Sequence, residues 1–331
     1  MDIKSVLLTV PFPQNYLENM VEVLKPSQVH VVSSNDTAAI GKALETADIA
    51  LLSGDITEQI LTGKNLKWIH CDHSGLTHSA KKEIFERGIA VTGSAGRSAP
   101  TLAEHAILFM LSLTYDMHAL HDLQKAHVWG GLPGYNDRRG LIGKTAGIIG
   151  LGHTGKELAK RLKAFDMKVL GYRRSSEPVE NVDVQYSKDN GDSIEALLKE
   201  SDYLILTTQL SDETYHLIGE KELQTMKKSA YIINMCRGSV IDEKALIEAL
   251  EKDVIAGAGL DTTEIEPLPK ESKLWDTKNV ILTPHNTPTV PDRWGRSFEI
   301  ISDNIRRYRE NKPLRNQITL RDVYTHGKPS L

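Results

Sequence analysis

"GIIGLGHTGKELAKRLKAFDMKVLGYRRSS", Gly147 to Ser176, is the stretch that decides the fold. A β-branched apolar run leads into Gly150, Gly152 and Gly155 at G-x-G-x-x-G spacing. An amphipathic pattern follows (Leu158, Leu162, Phe165), then a second apolar run, "KVLGY". Alone, three glycines at that spacing are a weak signal. Between a strand and a helix they describe a turn shaped for a pyrophosphate. Gly150 permits the tight turn, Gly152 lets the backbone approach the phosphates, and Gly155 lets the helix pack close to the strand. The phosphates would meet free N–H groups around His153 and Thr154, at the positive end of a helix starting near Thr154.

The end of the second strand departs from the pattern. An NAD site carries an Asp or Glu there, about 20 residues on, for the ribose hydroxyls; this chain has Arg173. A carboxylate would repel a 2′-phosphate, whereas a guanidinium binds one through charge-assisted, bidentate hydrogen bonds. Arg174, Ser175 and Ser176 add donors. The expectation is NADP(H) in preference to NAD(H), the plain alternative being two solvated loop charges.

Outward from this stretch the chain alternates short apolar runs with helical patterns. "VLLTV", "VHVV", "ADIALLS", "LKWIHCD" and "IAVTGS" precede it, and "VDVQYS", "DYLILTT", "AYIINMC", "IAGAGLD" and "NVILTPH" follow. That rhythm predicts α/β architecture with two open parallel sheets. "PTLAEHAILFMLSLTYDMHALHDLQKA", Pro100 to Ala126, reads as one long helix. The last segment, "DRWGRSFEIISDNIRRYRENKPLRNQI", is helical with a basic end and is expected to pack back on the first domain. The expected division is therefore residues 1–99 plus 288–331 as one domain and 100–287 as the other.

Composition agrees with a globular protein. The chain has 331 residues, 40% hydrophobic and 25% charged, enough for two domains. A net charge of -4 carries no electrostatic footprint for nucleic acid or an anionic membrane. The apolar run Val6 to Val10 is too short for a secretory or spanning segment. Cys71 and Cys236 sit in apolar runs, which fits free thiols in a reducing cytosol.

Three later stretches place a polar group at the end of a predicted strand, where ligands of open parallel sheets bind. "INMCRGSVIDEKAL" carries Arg237, "GAGLDTTEIEPLP" carries Asp261 and Glu266, and "VILTPHNTP" carries His285. Singly each has a dull reading as a surface ion pair or loop residue. Together, on successive strand ends downstream of a nucleotide loop, an Arg, a Glu and a His are hard to dismiss.

With "GSAGRSAPTLAEHAI" (Gly93 to Ile107), "LIGKTAGIIGLGHTGKELA" (Leu141 to Ala159) and "TPHN" (Thr283 to Asn286), these motifs make the chain resemble the D-isomer-specific 2-hydroxyacid dehydrogenases over nearly its whole length. The resemblance implies a Rossmann domain and a smaller flavodoxin-like substrate domain with a cleft between them. It implies Arg237, Glu266 and His285 as the catalytic trio of hydride transfer to a 2-oxo acid: Arg237 would clamp the carboxylate and the adjacent carbonyl, His285 would give or take the proton at the carbonyl oxygen, and Glu266 would hold its other nitrogen and favour its protonated form. Asp261, Thr208, Cys236 and Asn286 would lie beside the cofactor, and the backbone N–H groups of Ser74 and Gly75 would hold the substrate carboxylate. It further implies a two-fold homodimer built on the long apolar helix. No metal is expected: His73 and His78 read as ordinary loop residues.

The sequence departs from the family's pattern at Gln209, where proline is common, and in "HNTPTVPDRW", where small residues are common. The second departure bears on substrate preference. Glu266 argues against a formate-type dehydrogenase, which has Gln there. A phosphite-type enzyme and a nucleotide-sensing corepressor would use the same fold and keep the same trio. The corepressor is disfavoured by the absence of a long tail after Val323.

Overall fold

The computed structural model describes residues 1–132, 134, 140–287 and 290–326. They form two compact units, the described residues of Met1–Ser98 with Thr289–Lys328 and those of Ala99–Pro288.

In the first unit, β1 (Ser5–Leu8), α1 (Gln14–Leu24), β2 (Gln28–Val31), α2 (Thr37–Leu44), β3 (Ile49–Leu52), α3 (Glu58–Leu61), β4 (Trp68–Cys71), α4 (Lys82–Glu86) and β5 (Ala90–Gly93) alternate along the chain. Every strand pairing is parallel, and the sheet order is β2-β1-β3-β4-β5. That is the flavodoxin-like order. β1, β3 and β4 are buried at every position, as a sheet covered on both faces requires.

The second unit runs α5 (Ala99–Tyr115), α6 (Met117–Lys125), β6 (Thr145–Ile149), α7 (His153–Lys163), β7 (Lys168–Arg173), β8 (Val184–Ser187), α8 (Glu195–Glu200), β9 (Tyr203–Leu206), α9 (Glu220–Thr225), β10 (Tyr231–Asn234), α10 (Glu243–Glu251), β11 (Gly257–Leu260) and β12 (Val280–Leu282). Its seven strands are parallel in the order β12-β11-β10-β9-β6-β7-β8, a Rossmann order extended by one strand. The order reverses between β6 and β9, which is where a doubly wound sheet opens its ligand crevice.

α11 (Arg293–Arg309) returns to the first unit. Its Ile301, Ile305 and Tyr308 join a core with Leu8, Met20 and Trp68, and Tyr308 stacks on Trp68 at 5.5 Å between centroids.

Two local expectations need correction. The Pro100–Ala126 pattern is two helices, not one. Asp116 takes a left-handed φ of 52° and its carboxylate accepts from Ala119 N, capping α6 and ending α5. Phe165 lies beyond the end of α7 and is exposed, so the buried stripe of that helix is Leu158, Ala159 and Leu162. Pro288, singled out in the unusual segment, lies outside the described residues. Among the described residues no helix is long and apolar enough to cross a membrane.

Candidate functional site

The glycine loop joins β6 to α7 at the reversal point. Gly150 has φ +105°, and a Cβ there would stand 2.6 Å from the Thr208 nitrogen. A Cβ on Gly155 would stand 2.2 Å from the Gly150 carbonyl oxygen. Both positions therefore exclude side chains by backbone contact. Gly152 differs: it precedes the first residue of α7 and has nothing within 4 Å of its missing Cβ, leaving open space over the helix end. The first turn, His153 to Gly155, directs its amides there. Thr207 Oγ1 ties β9 to the loop by donating to Gly150 O at 2.7 Å.

Arg173 is the last residue of β7. Its Nη1 donates to Glu177 O at 3.0 Å and its guanidinium faces the Glu177 carboxylate at 3.8 Å. Arg174 lies 3.7 Å from Glu213, which also receives Lys188. Sequence reading did not anticipate these two glutamates. The Arg174 carbonyl is pinned by Asp189 N and Ser187 Oγ, so β8 fixes the turn. Ser175 Oγ is buried with no hydrogen-bond partner among the described residues. An orphan hydroxyl beside two arginines, open space at Gly152 and glycines packed against backbone all fit a dinucleotide.

Arg237, Glu266 and His285 follow the neighbouring strands β10, β11 and β12. Asn234 shapes the first of these turns. Its Oδ1 accepts from Cys236 N and Sγ, and its Nδ2 donates to Arg237 O. Burial pushes the Cys236 thiol up to about 11, so it is a protonated donor and not a nucleophile. Arg237 Nη1 donates to Cys236 O at 2.8 Å. A Cβ on Gly238 would fall 1.9 Å from the Thr263 carbonyl carbon, so the loops bearing Arg237 and Glu266 are in contact.

Glu266 Oε1 accepts from Thr263 N at 3.0 Å, and Oε2 meets His285 Nδ1 at 2.7 Å. With the carboxylate as acceptor, Nδ1 carries a proton and Nε2 faces away. His285 has φ +48°, an uncommon value for a side chain of its kind and one found at functional sites. Asp261, 2% exposed, holds that turn: it accepts from Thr283 Oγ1 at 2.5 Å, from Thr287 Oγ1, and from Asn286 N at 3.3 Å. Because Thr283 gives its proton to Asp261, His105 Nε2 donates to Thr283 at 3.2 Å. Asp261 thus acts on the His285 turn, and Asn286 shows its backbone to it. Asn234, Thr263, Thr283, Thr287 and His105 were not identified from the sequence. Polar residues in strand ends look alike there, whatever they bond.

In the other unit Ser74 and Gly75 follow β4. Neither amide donates to an acceptor among the described residues. Beneath them a directional chain of hydrogen bonds crosses the core. Trp68 Nε1 donates to Thr92 Oγ1, which bonds His70 Nδ1; His70 Nε2 bonds Ser94 Oγ, which donates to Asp72. Burial lowers His70 to about 4, so it is neutral. Arg97 Nη1 donates to the Asp72 carbonyl and, at 2.8 Å, to its carboxylate. None of these residues was picked out from the sequence. His73 faces Asp55 at 3.5 Å, and no cluster suited to a metal occurs among the described residues. Cys71 and Cys236 are both free and buried.

The model of the "D-isomer specific 2-hydroxyacid dehydrogenase, NAD binding domain" family matches residues 107–287. The chain belongs to the D-isomer-specific 2-hydroxyacid dehydrogenases. It is 36% identical to a glyoxylate reductase of Thermococcus litoralis over 85% of each chain. It is also 36% identical to a hydroxypyruvate reductase of Thermotoga maritima, over 71% of this chain and 74% of that one. A solved family member from Aeromonas salmonicida superposes with a TM-score of 0.78 at 26% identity, covering 96% of this chain and 99% of the other. The enzyme is therefore a nicotinamide-dependent oxidoreductase that interconverts a 2-hydroxy acid and its 2-oxo acid. When bound, the nicotinamide supplies or accepts the hydride; the protein must orient the acid and move one proton.

Proposed function

We propose that this dehydrogenase reduces a small 2-oxo acid, of the glyoxylate, hydroxypyruvate or pyruvate kind, to the D-2-hydroxy acid with NADPH. The observation that carries the chemistry is the 2.7 Å contact between Glu266 Oε2 and His285 Nδ1. It leaves Nε2 to protonate the carbonyl oxygen as charge develops there, and to take the proton back in the oxidative direction. Arg237 orients the acid with its fork, and the Ser74 and Gly75 amides take the substrate carboxylate. The names of the two relatives support the substrate range.

Preference for NADPH is supported by Arg173 at the end of β7, by Arg174 beside it, and by the unpartnered Ser175 hydroxyl. The glutamates facing the arginines do not oppose this: the pairs are partly open to solvent and stand at 3.7–3.8 Å, beyond hydrogen-bond reach, and such surface pairs contribute only about 0–1 kcal/mol. NAD(H) serves as the weaker cofactor. A second copy of the chain is the expected partner: Leu108, Met117, Val128 and Trp129, on and after α5 and α6, are exposed apolar side chains in a single chain. Light scattering on the eluting protein checks it, and a monomer would refute it.

Steady-state rates with NADPH and NADH across glyoxylate, pyruvate and hydroxypyruvate test the reading. Turnover that Arg237→Ala or His285→Ala abolishes, with kcat/KM higher for NADPH, is expected. Tight nucleotide binding without turnover of any 2-oxo acid would refute the enzyme reading; equal rates with NADH would refute the cofactor preference.

A further inference from the structure

The loop that carries Ser74 and Gly75 is bordered by two arginines that gather around one carboxylate. Asp72 is 1% exposed, and both of its oxygens are already engaged, one by Ser94 Oγ at 2.6 Å and the other by Arg97 Nη1 at 2.8 Å. Arg293, the first residue of α11, brings a second guanidinium to 3.9 Å from Asp72, beyond hydrogen-bond reach. It is held over the Trp294 ring, 4.6 Å from the centroid, and Trp294 is in turn braced edge-on by Phe12. Yet the Arg293 guanidinium donates no hydrogen bond among the described residues, and its Nε is wholly buried without a partner.

Two cations on one anion leave a positive surplus. Burial lowers the Arg97 pKa, and the nearby Arg293 charge lowers it further, although Asp72 opposes both. A buried donor without an acceptor is costly. An anion placed against Arg293 would remove both the orphan N–H and the surplus charge; a neutral acceptor would remove only the first. Two steps of chain lead from Asp72 to Ser74, a span of at most about 7 Å.

We propose that Arg293, backed by Arg97, is a specificity-determining subsite for a second anionic group. The enzyme then favours 2-oxo acids bearing a further carboxylate or a phosphate over simple monoanionic ones. This rests on the reading of Ser74 and Gly75 as holders of the 2-oxo acid's own carboxylate, and it moves the preferred substrates of that site from the monoanionic 2-oxo acids to their dianionic counterparts. It also gives the unusual "HNTPTVPDRW" segment a role, since that segment supplies Arg293 and Trp294.

The test compares kcat/KM with NADPH for glyoxylate and pyruvate against oxaloacetate, 2-oxoglutarate and 3-phosphohydroxypyruvate. At least one dianionic acid should exceed both monoanions by tenfold or more; whether it bears the carboxylate or the phosphate identifies the group. Arg293→Gln should lower that dianion-to-monoanion ratio by tenfold or more, and Arg293→Lys should recover part of it. Calorimetric unfolding, which reads both units, verifies that the variants are folded. Independently of turnover, malonate should quench the tryptophan fluorescence at concentrations tenfold below acetate, and Arg293→Gln should erase the difference. Glyoxylate used as well as the best dianion, or a ratio that Arg293→Gln moves by less than threefold, overturns the proposal while leaving the function intact. No turnover of any 2-oxo acid overturns the function and this proposal together.

Discussion

The two units solve the same problem, a parallel sheet with ligand loops at its strand ends, with opposite uses of polar residues. After β10, β11 and β12 the proposed reagents are side chains. Arg237 is half-buried and His285 exposed, and buried groups such as Asp261 and Asn234 only aim them. After β4 the proposed donors are backbone amides at Ser74 and Gly75, and the polar side chains lie underneath, in an unbroken chain from Trp68 to Asp72. A side-chain reagent needs room to meet a reacting atom. An amide reagent needs its loop held still, which is what a satisfied buried network provides.

Substitutions in the two units should therefore fail in different ways. The largest effect is expected at His285. His285→Ala should lower kcat/KM by about 10³–10⁴-fold, in the range of a lost general acid, with little change in melting temperature. A comparable loss of stability would mean that the histidine is structural. Asp72→Asn should do the reverse. It leaves Arg97 buried beside a neutral amide, which costs about 3–5 kcal/mol, measured by urea unfolding. A loss below about 1 kcal/mol would show that the network is not what holds the loop.

pH separates the units again. Neutral His70 binds a proton only near 4 in the folded chain but near 6.5 when unfolded. Between those values the unfolded state holds the extra proton, so stability falls as pH drops from 6.5 toward 4 and is flat above. The full contribution is about 3 kcal/mol. His70→Gln should flatten that slope in calorimetric or urea titrations; an unchanged slope would assign it to other groups. The smallest effect is expected at Arg173. Arg173→Asp should lower the NADPH-to-NADH ratio of kcat/KM by about 10–100-fold, the loss of a charge-assisted pair. A ratio that does not move would make Arg173 and Arg174 surface charge.

Much of this enzyme is legible along the chain because local rules decide it. The glycines at 150, 152 and 155, the alternation of apolar runs with helices, and the Arg237, Glu266 and His285 motifs depend on residues within one turn of each other. They needed no knowledge of what lay across the sheet. The break at Asp116 could not be read that way, since apolar residues continue on both sides of it and only the backbone conformation ends the helix. Glu177 and Glu213 beside the arginines, His105 behind Thr283, and Arg293 against Asp72 are of the same kind.

Sequence alone thus determined the fold class, the nucleotide loop and the residue types at the strand ends, because these follow from periodicity and from contacts between near neighbours. The tertiary structure decided which polar groups meet. The partners Arg293–Asp72 and His105–Thr283 are far apart in the chain, and a hydrogen bond depends on ångström-scale placement that no spacing encodes.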